Sequence, residues 1–154
     1  MSDGGARRDR GLPIVDDAAP RDLRGDRDAS PASSRDIRDE DLLALLTDFY
    51  DTVERDVLLA PYFAHVDMDA HMPRIVDFWS TLVFDTKRYT GNAFRPHLEM
   101  PGLTAAHFAR WLEVMERTID AHGAGPAAER MKELAHRIAV SMQLRLRIAP
   151  LAPP

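Results

Sequence analysis

Apolar residues recur every three or four positions in four separate stretches of this chain. In the first stretch, which begins near residue 39, they are Leu42, Leu46, Phe49, Val53 and Val57. This spacing places side chains on one face of an α-helix. No stretch alternates apolar and polar residues, and no segment repeats, so the pattern predicts an all-α chain.

Helix boundaries in the first half follow from capping residues and prolines. Asp36 or Asp39 is expected to cap the first helix, and Pro61 to end its segment with a tight turn, interpreted as 3₁₀. The second helix is expected from Asp69, as its cap, to about Phe84. Its predicted inner face carries His71, Ile75, Phe78 and Leu82, with Trp79 and Val83 beside them.

The spacing of apolar residues in the second half of the chain predicts two further helices. One follows Thr104, a good N-cap, and runs to about His122. The other opens at Pro126 and stops before Pro150. Their predicted inner faces are Phe108, Trp111, Leu112, Met115 and Ile119 on the third helix, and Met131, Leu134, Ile138, Met142 and Leu146 on the fourth.

The two ends of the chain lack this pattern. Residues 1–35 mix Gly, Pro, Ser, Asp and Arg and contain no aromatic side chain. Such a segment cannot bury enough apolar surface to offset its ordering entropy, so a disordered tail is expected there. Residues 36–149 are expected to form one domain, followed by a frayed end at 150–154. No apolar stretch follows Arg7 and Arg8, so no secretory signal is expected.

Composition narrows the classes of function. The 154 residues carry a net charge of −5, which disfavours nucleic-acid binding. The absence of cysteine excludes disulfides, thiolate catalysis, Fe–S clusters and cysteine zinc sites. The longest apolar run, residues 42–46, is too short to cross a bilayer. A cytoplasmic protein with no membrane and no nucleic-acid partner is therefore expected.

One histidine stands in the segment that interrupts the helices. Residues 88–101 contain Gly91, Pro96 and Pro101, which break helical periodicity, and His97 lies among them. A neutral imidazole nitrogen is a common metal ligand, and a loop lets it approach a flat cofactor without a long helix in the way. His97 is therefore a candidate axial ligand to a haem iron.

Three polar side chains on the helices are candidates for the opposite side of a haem. Tyr50 offers an O–H, Trp111 an indole N–H, and His71 either a donor or a gate. Ordinary core packing also explains each of them, and helical spacing does not separate the two interpretations. Flat apolar walls would come from Phe49, Phe63, Phe78, Phe94 and Phe108.

A set of short motifs follows one order between residues 39 and 146. It comprises Phe49-Tyr50, Pro61-Tyr-Phe63, His71 with Phe78-Trp79, Tyr89-Thr-Gly91, Pro96-His97-Leu-Glu-Met-Pro101 and Phe108-Ala-Arg-Trp111-Leu112. In this combination the chain resembles the truncated haemoglobins of group III. The glycine-pair motifs of groups I and II are missing, in agreement with that group.

The resemblance implies a globin-like 2-over-2 helical sandwich that holds haem b. It implies that His97 is the proximal iron ligand, that Tyr50 and Trp111 are distal hydrogen-bond donors, and that His71 is a distal histidine. Phe63 would pack on the haem face. Arg74 would pair with a propionate, with Arg95 as a second candidate. The further pocket residues expected are Phe49, Ile75, Phe78, Leu82, Phe94, Phe108, Met115 and Ile138.

The function predicted on this basis is binding of O₂ and other diatomic ligands (CO, NO) at a pentacoordinate iron. Peroxidase-like or nitric oxide-detoxifying redox chemistry is the alternative. It would need a separate reductase, because the chain has no dinucleotide fingerprint. A cofactor-free helical interaction module is the second alternative. A di-iron bundle is disfavoured because Glu133 and His136 form the chain's one Glu-x-x-His motif, and His136 is expected to face water.

Overall fold

Four α-helices and three short 3₁₀ helices make up the fold in the computed structural model, which describes residues 35–93 and 95–149. No strand occurs in those residues, so the all-α prediction is confirmed. The expected tail at residues 1–34 and the end at 150–154 lie outside the described residues. The α-helices are α1 Leu42–Arg55, α2 Met68–Phe84, α3 Ala105–His122 and α4 Pro126–Arg145, and the 3₁₀ helices are Asp39–Asp41, Ala60–Tyr62 and Pro96–Glu99.

The helices pack as two layers of two. Helix α1 packs against α2 and α3, and α4 packs against α3 and α2. Each helix therefore has two neighbours, which is the 2-over-2 arrangement that the sequence resemblance implies. The inner face of α1 is fully buried in the core and consists of Leu42, Leu45, Leu46, Phe49 and Val53. Burial of each such side chain contributes about 1.5–3 kcal/mol of hydrophobic stabilisation.

The first helix is shorter than its apolar stripe. It ends at Arg55 because Asp56 adopts an extended backbone and its carboxylate accepts hydrogen bonds from the N–H groups of Leu58 and Leu59. Val57, predicted on the inner face, is instead 95% exposed. The 3₁₀ turn predicted near Pro61 is confirmed as Ala60–Tyr62.

Two helices are rotated relative to the predicted faces. On α2, Val76, Trp79 and Val83 are buried with Ile75, whereas His71, Phe78 and Leu82 keep partial exposure. On α4 the alanines Ala128, Ala135 and Ala139 are buried with Met131 and Met142, and the larger Leu134 and Ile138 lie at the edge. Small side chains let α4 approach its neighbours closely, and apolar spacing alone overlooks them. The α2 cap is Asp67, which accepts from Ala70 N–H, and not Asp69.

The segment before α1 caps a different helix from the one expected. Asp36 accepts hydrogen bonds from the N–H groups of Ala127 and Ala128 in the first turn of α4, at 2.8 and 3.0 Å, and from Ile37 N–H. Burial opposes ionisation of Asp36, but these three donors outweigh it and lower its pKa. Gly125 is required beside it, because a Cβ there would lie 2.6 Å from the Asp36 carboxyl carbon.

None of the helices in the described residues combines the length and apolar character needed to span a membrane.

Because both carboxylate oxygens of Asp36 accept N–H donors, Asp36→Asn should lower the free energy of unfolding by about 1–2 kcal/mol at neutral pH. The amide would turn an NH₂ group towards one of those donors. The pKa of Asp36 is lowered by folding, so its stabilisation is present above the ordinary carboxyl range and is lost on acidification. The difference in the free energy of unfolding between wild type and variant should therefore become smaller in acid. Urea unfolding at several pH values measures this.

Asp51→Asn is the matched control, since Asp51 is exposed on α1. A loss of stability equal to that of Asp36→Asn in this variant would contradict the capping interpretation.

Candidate functional site

An apolar cavity opens between the helix layers. It encloses about 80 Å³ and is partly open to solvent, and its lining is predominantly apolar, as is typical of cofactor and ligand sites. All four helices and the loops around residues 60 and 97 contribute to its walls. The sequence-predicted site residues that line it are Tyr50, Phe63, Phe78, His97, Phe108, Trp111 and Ile138.

His97 lines this cavity, and its hydrogen bonding leaves one ring nitrogen with a lone pair. Its Nδ1 lies 2.9 Å from the backbone carbonyl oxygen of Ala93. A carbonyl only accepts, so Nδ1 carries the proton and Nε2 keeps its lone pair. Desolvation among apolar neighbours lowers the pKa of His97 to about 4, against the smaller opposing effect of the Ala93 bond. The ring is therefore neutral at neutral pH, which is the form that coordinates metals.

The loop that carries His97 is anchored at its start. Arg88 donates to Asp39 at 2.8 and 2.9 Å, and Ser80 and Thr86 lie in the same hydrogen-bonded cluster. The N–H of Tyr89 donates to the Thr81 hydroxyl at 3.0 Å. These contacts tie the start of the loop to α2 and to the segment before α1. They therefore constrain the position of the loop that carries His97.

Tyr50 and Trp111 approach the same cavity from α1 and α3. Tyr50 is 3% exposed, and burial raises the pKa of its hydroxyl, so it stays protonated and able to donate. Phe49 packs edge-on against both rings, at centroid distances of 4.9 Å to Tyr50 and 5.9 Å to Trp111. Phe63 lies 5.8 Å from the Tyr50 ring on its other side. These contacts hold both donors in place through apolar packing.

The structure does not bring every predicted site residue to the cavity. His71 and Arg74 lie on α2 with partial exposure and do not line it. Arg95 is exposed, and Phe94 lies outside the described residues. The predicted wall residues Phe49, Ile75, Leu82 and Met115 do not line the cavity either. The roles assigned to all of these residues remain predictions.

Other lining residues escaped the sequence analysis. They are Leu59, Tyr62, Trp79, Ala93, Met100, Leu103, His107, Ala139 and Met142. Trp79 and Met142 lay on or beside predicted inner faces, so the spacing of apolar residues already indicated that they point inward. Leu59, Tyr62, Met100 and Leu103 lie outside the α-helices, where periodicity gives no direction. His107 is on α3 but off its apolar stripe, and only the tertiary structure brings it to the cavity.

Among the described residues, no group of three or more His, Asp or Glu side chains is placed to hold a metal ion. His136 is exposed, as expected, and pairs with Glu116 on the surface. A metal in the cavity would therefore be held by His97 together with a cofactor that supplies the other ligands.

Comparison with known proteins agrees with this architecture, although no family model matches the chain. The curated protein "Group 3 truncated hemoglobin ctb" of Campylobacter jejuni is 26% identical over 90 residues, covering 54% of this chain and 71% of that protein. The crystal structure of group III truncated hemoglobin from Campylobacter jejuni superposes with a TM-score of 0.64 at 24% identity, covering 71% of this chain and 91% of that one. The chain thus has the truncated-globin fold, and the resemblance to group III truncated haemoglobins predicted from its sequence is confirmed.

Proposed function

We propose that this chain is a haem protein that binds O₂ and other diatomic ligands at an iron held by His97. One observation carries the proposal. His97, whose Nε2 carries the lone pair, lines an apolar cavity together with two hydrogen-bond donors, Tyr50 and Trp111. A ligand in such a dry site interacts strongly with the few polar groups that are present.

The cavity residues fit haem b by their chemistry. Haem needs an axial ligand and an apolar slot, and His97 and the phenylalanine walls match these needs. When bound, the haem iron would supply an open coordination position for a diatomic ligand. The hydrogen bond from His97 Nδ1–H to Ala93 would orient the ring and raise its basicity.

Tyr50 and Trp111 would act on the diatomic ligand itself. No hydrogen bond to the Tyr50 hydroxyl is found in the described part of the chain, so this donor is available to a ligand in the cavity. An O–H or N–H donor stabilises a ligand that carries partial negative charge, and O₂ acquires such charge on binding more than CO does. The pair would therefore favour O₂.

A pentacoordinate iron is supported by the second histidine of the cavity. His107 Nδ1 accepts the backbone N–H of Thr104 at 3.1 Å. A backbone N–H only donates, so the His107 proton sits on Nε2 and that nitrogen offers no lone pair. The cavity thus presents one imidazole nitrogen ready for coordination.

The cavity also argues against a cofactor-free helical module. Protein interiors are packed to the density of organic crystals, and voids larger than a water molecule are few in a domain. A helical bundle without a cofactor would be expected to close this space with side chains. Here Tyr50, Phe63, Phe78, Phe108 and Trp111 surround it.

His97→Ala should abolish tight haem binding, because it removes the axial ligand. The purified wild-type chain is expected to bind one haem per molecule and to show a ferrous spectrum that changes on addition of CO. The variant should lose the haem on gel filtration, and added imidazole should restore binding. His136→Ala, which changes an exposed histidine on α4, should match wild type. Wild-type haem content and spectrum in His97→Ala would refute the assignment.

Tyr50→Phe and Trp111→Phe should each speed O₂ release by about ten- to a hundredfold. A hydrogen bond to a charged group contributes about 1.5–3 kcal/mol, and about 1.4 kcal/mol corresponds to tenfold. CO release should change less. The double variant should be less than additive if both donors share one oxygen atom. Stopped-flow ligand replacement on the ferrous protein measures these rates.

Ile138→Val provides the packing control, since Ile138 lines the same cavity without a polar atom. Its effects on O₂ and CO should be small and equal. If the Tyr50 and Trp111 variants change the release rates of O₂ and CO equally, these side chains act by steric gating. His71 then becomes the candidate residue for control of ligand release.

A further inference from the structure

His107 is a polar residue of the cavity that contacts neither the iron nor the diatomic ligand in the proposed function. It lines the cavity yet keeps part of its surface in solvent, so it stands at the mouth. Tyr50, which is buried, and Trp111, which is partly exposed, are the donors assigned to the diatomic ligand above. His107 lies one helical turn before Trp111 on α3.

The backbone fixes the tautomer of His107. Its Nδ1 receives the N–H of Thr104 at 3.1 Å and lies 2.8 Å from the Thr104 hydroxyl. The histidine thus takes the place that Glu or Gln occupies in a capping box, three residues after the N-cap. Because Nδ1 accepts, Nε2 carries the proton, and no partner for Nε2–H occurs in the described residues.

Neighbouring contacts hold the ring where it stands. Tyr62 packs edge-on against it, with a centroid distance of 5.3 Å and an interplanar angle of 89°. The Tyr62 hydroxyl donates to the carbonyl of Pro101 at 2.9 Å, so it is already engaged. Two loops and the start of α3 therefore meet around His107. A side chain fixed in this way loses little entropy when it binds a partner.

The carboxylates of the proposed cofactor require water or a hydrogen-bond donor at the mouth of the cavity. A protoporphyrin carries two carboxylates, whereas the cavity walls are almost entirely apolar. An anion cannot enter such walls without a partner, so the carboxylates must remain at the mouth, near water or a donor. Among the lining residues, His107 and Trp111 combine partial exposure with an N–H that no described residue accepts, and Trp111 is already assigned to the diatomic ligand.

We propose that the Nε2–H of His107 donates a hydrogen bond to one carboxylate of the porphyrin, an inference that rests on the proposed haem binding. The bond anchors the edge of the cofactor at the start of α3, on the chain segment that reaches Trp111 one turn later. His97 and His107 then hold the same cofactor through opposite tautomers, one by a lone pair and the other by a proton.

The test combines a substitution with a change in the cofactor. His107→Asn keeps an oxygen where Nδ1 stands, so it still accepts the Thr104 N–H, but it has no group at the Nε2 position. Haem dissociation from the ferric protein is measured by transfer to an excess of a scavenging apoglobin. Each protein is loaded with iron protoporphyrin IX or with its dimethyl ester, which lacks the carboxylate charges. His136→Asn is the matched surface control.

The variant should lose iron protoporphyrin IX about five- to tenfold faster than wild type, since a partly exposed hydrogen bond to a charged group is lost. With the dimethyl ester the two proteins should release the cofactor at equal rates. Equal acceleration with both cofactors would mean that His107 acts by packing and would overturn the proposal. Equal rates for variant and wild type with iron protoporphyrin IX would also overturn it. If wild type binds neither porphyrin, the proposed function itself fails.

A second measurement needs no substitution. Zinc protoporphyrin is diamagnetic, so ¹⁵N-resolved NMR of the wild-type complex reports the tautomer and the exchange rate of the His107 ring proton. We expect an Nε2–H signal that exchanges slowly with the dicarboxylate form and faster with the dimethyl ester. A proton on Nδ1, or equal exchange with both porphyrins, would refute the proposal.

Discussion

The hydrogen bond between His97 Nδ1 and the Ala93 carbonyl is the interaction on which the site depends. A free imidazole exchanges its proton between both nitrogens, and either can face a metal. The carbonyl removes that choice and leaves Nε2 as the lone-pair donor. Desolvation lowers the pKa of His97 to about 4, so the ring is neutral at neutral pH. Backbone geometry thus determines the chemistry of the side chain.

The contacts that hold the loop around His97 therefore also affect how its Nε2 could coordinate a metal. The Arg88–Asp39 contact holds the start of the loop, and Asp36 holds the same N-terminal segment to α4. These polar contacts join parts of the chain that lie 49 to 91 residues apart. Each is of modest strength, on the order of 1–2 kcal/mol. Together they supply directional constraints that apolar packing alone does not provide.

An open apolar cavity is costly for a domain of this size, and cofactor binding would offset that cost. Unfilled cavity walls forgo dispersion contacts that a packed core would have. A ligand that binds only the folded state stabilises it by mass action. Phe49 packs edge-on against Tyr50 and Trp111, two of the residues that line the cavity. Folding and the proposed haem binding are linked through the same side chains.

The sequence by itself determined the number of α-helices and the interrupted segment with His97, through local rules of periodicity, capping and chain breaks. The order of the motifs added the resemblance, which implies that Tyr50 and Trp111 are hydrogen-bond donors to a ligand. Tertiary structure decided which faces of α2 and α4 are buried, and so left His71 partly exposed. Val57 is exposed because α1 ends at Arg55, before its apolar stripe does. It assigned Asp36 to α4 and brought His107 to the cavity. Such contacts join residues far apart in sequence, whereas periodicity reports only on neighbours within a few turns.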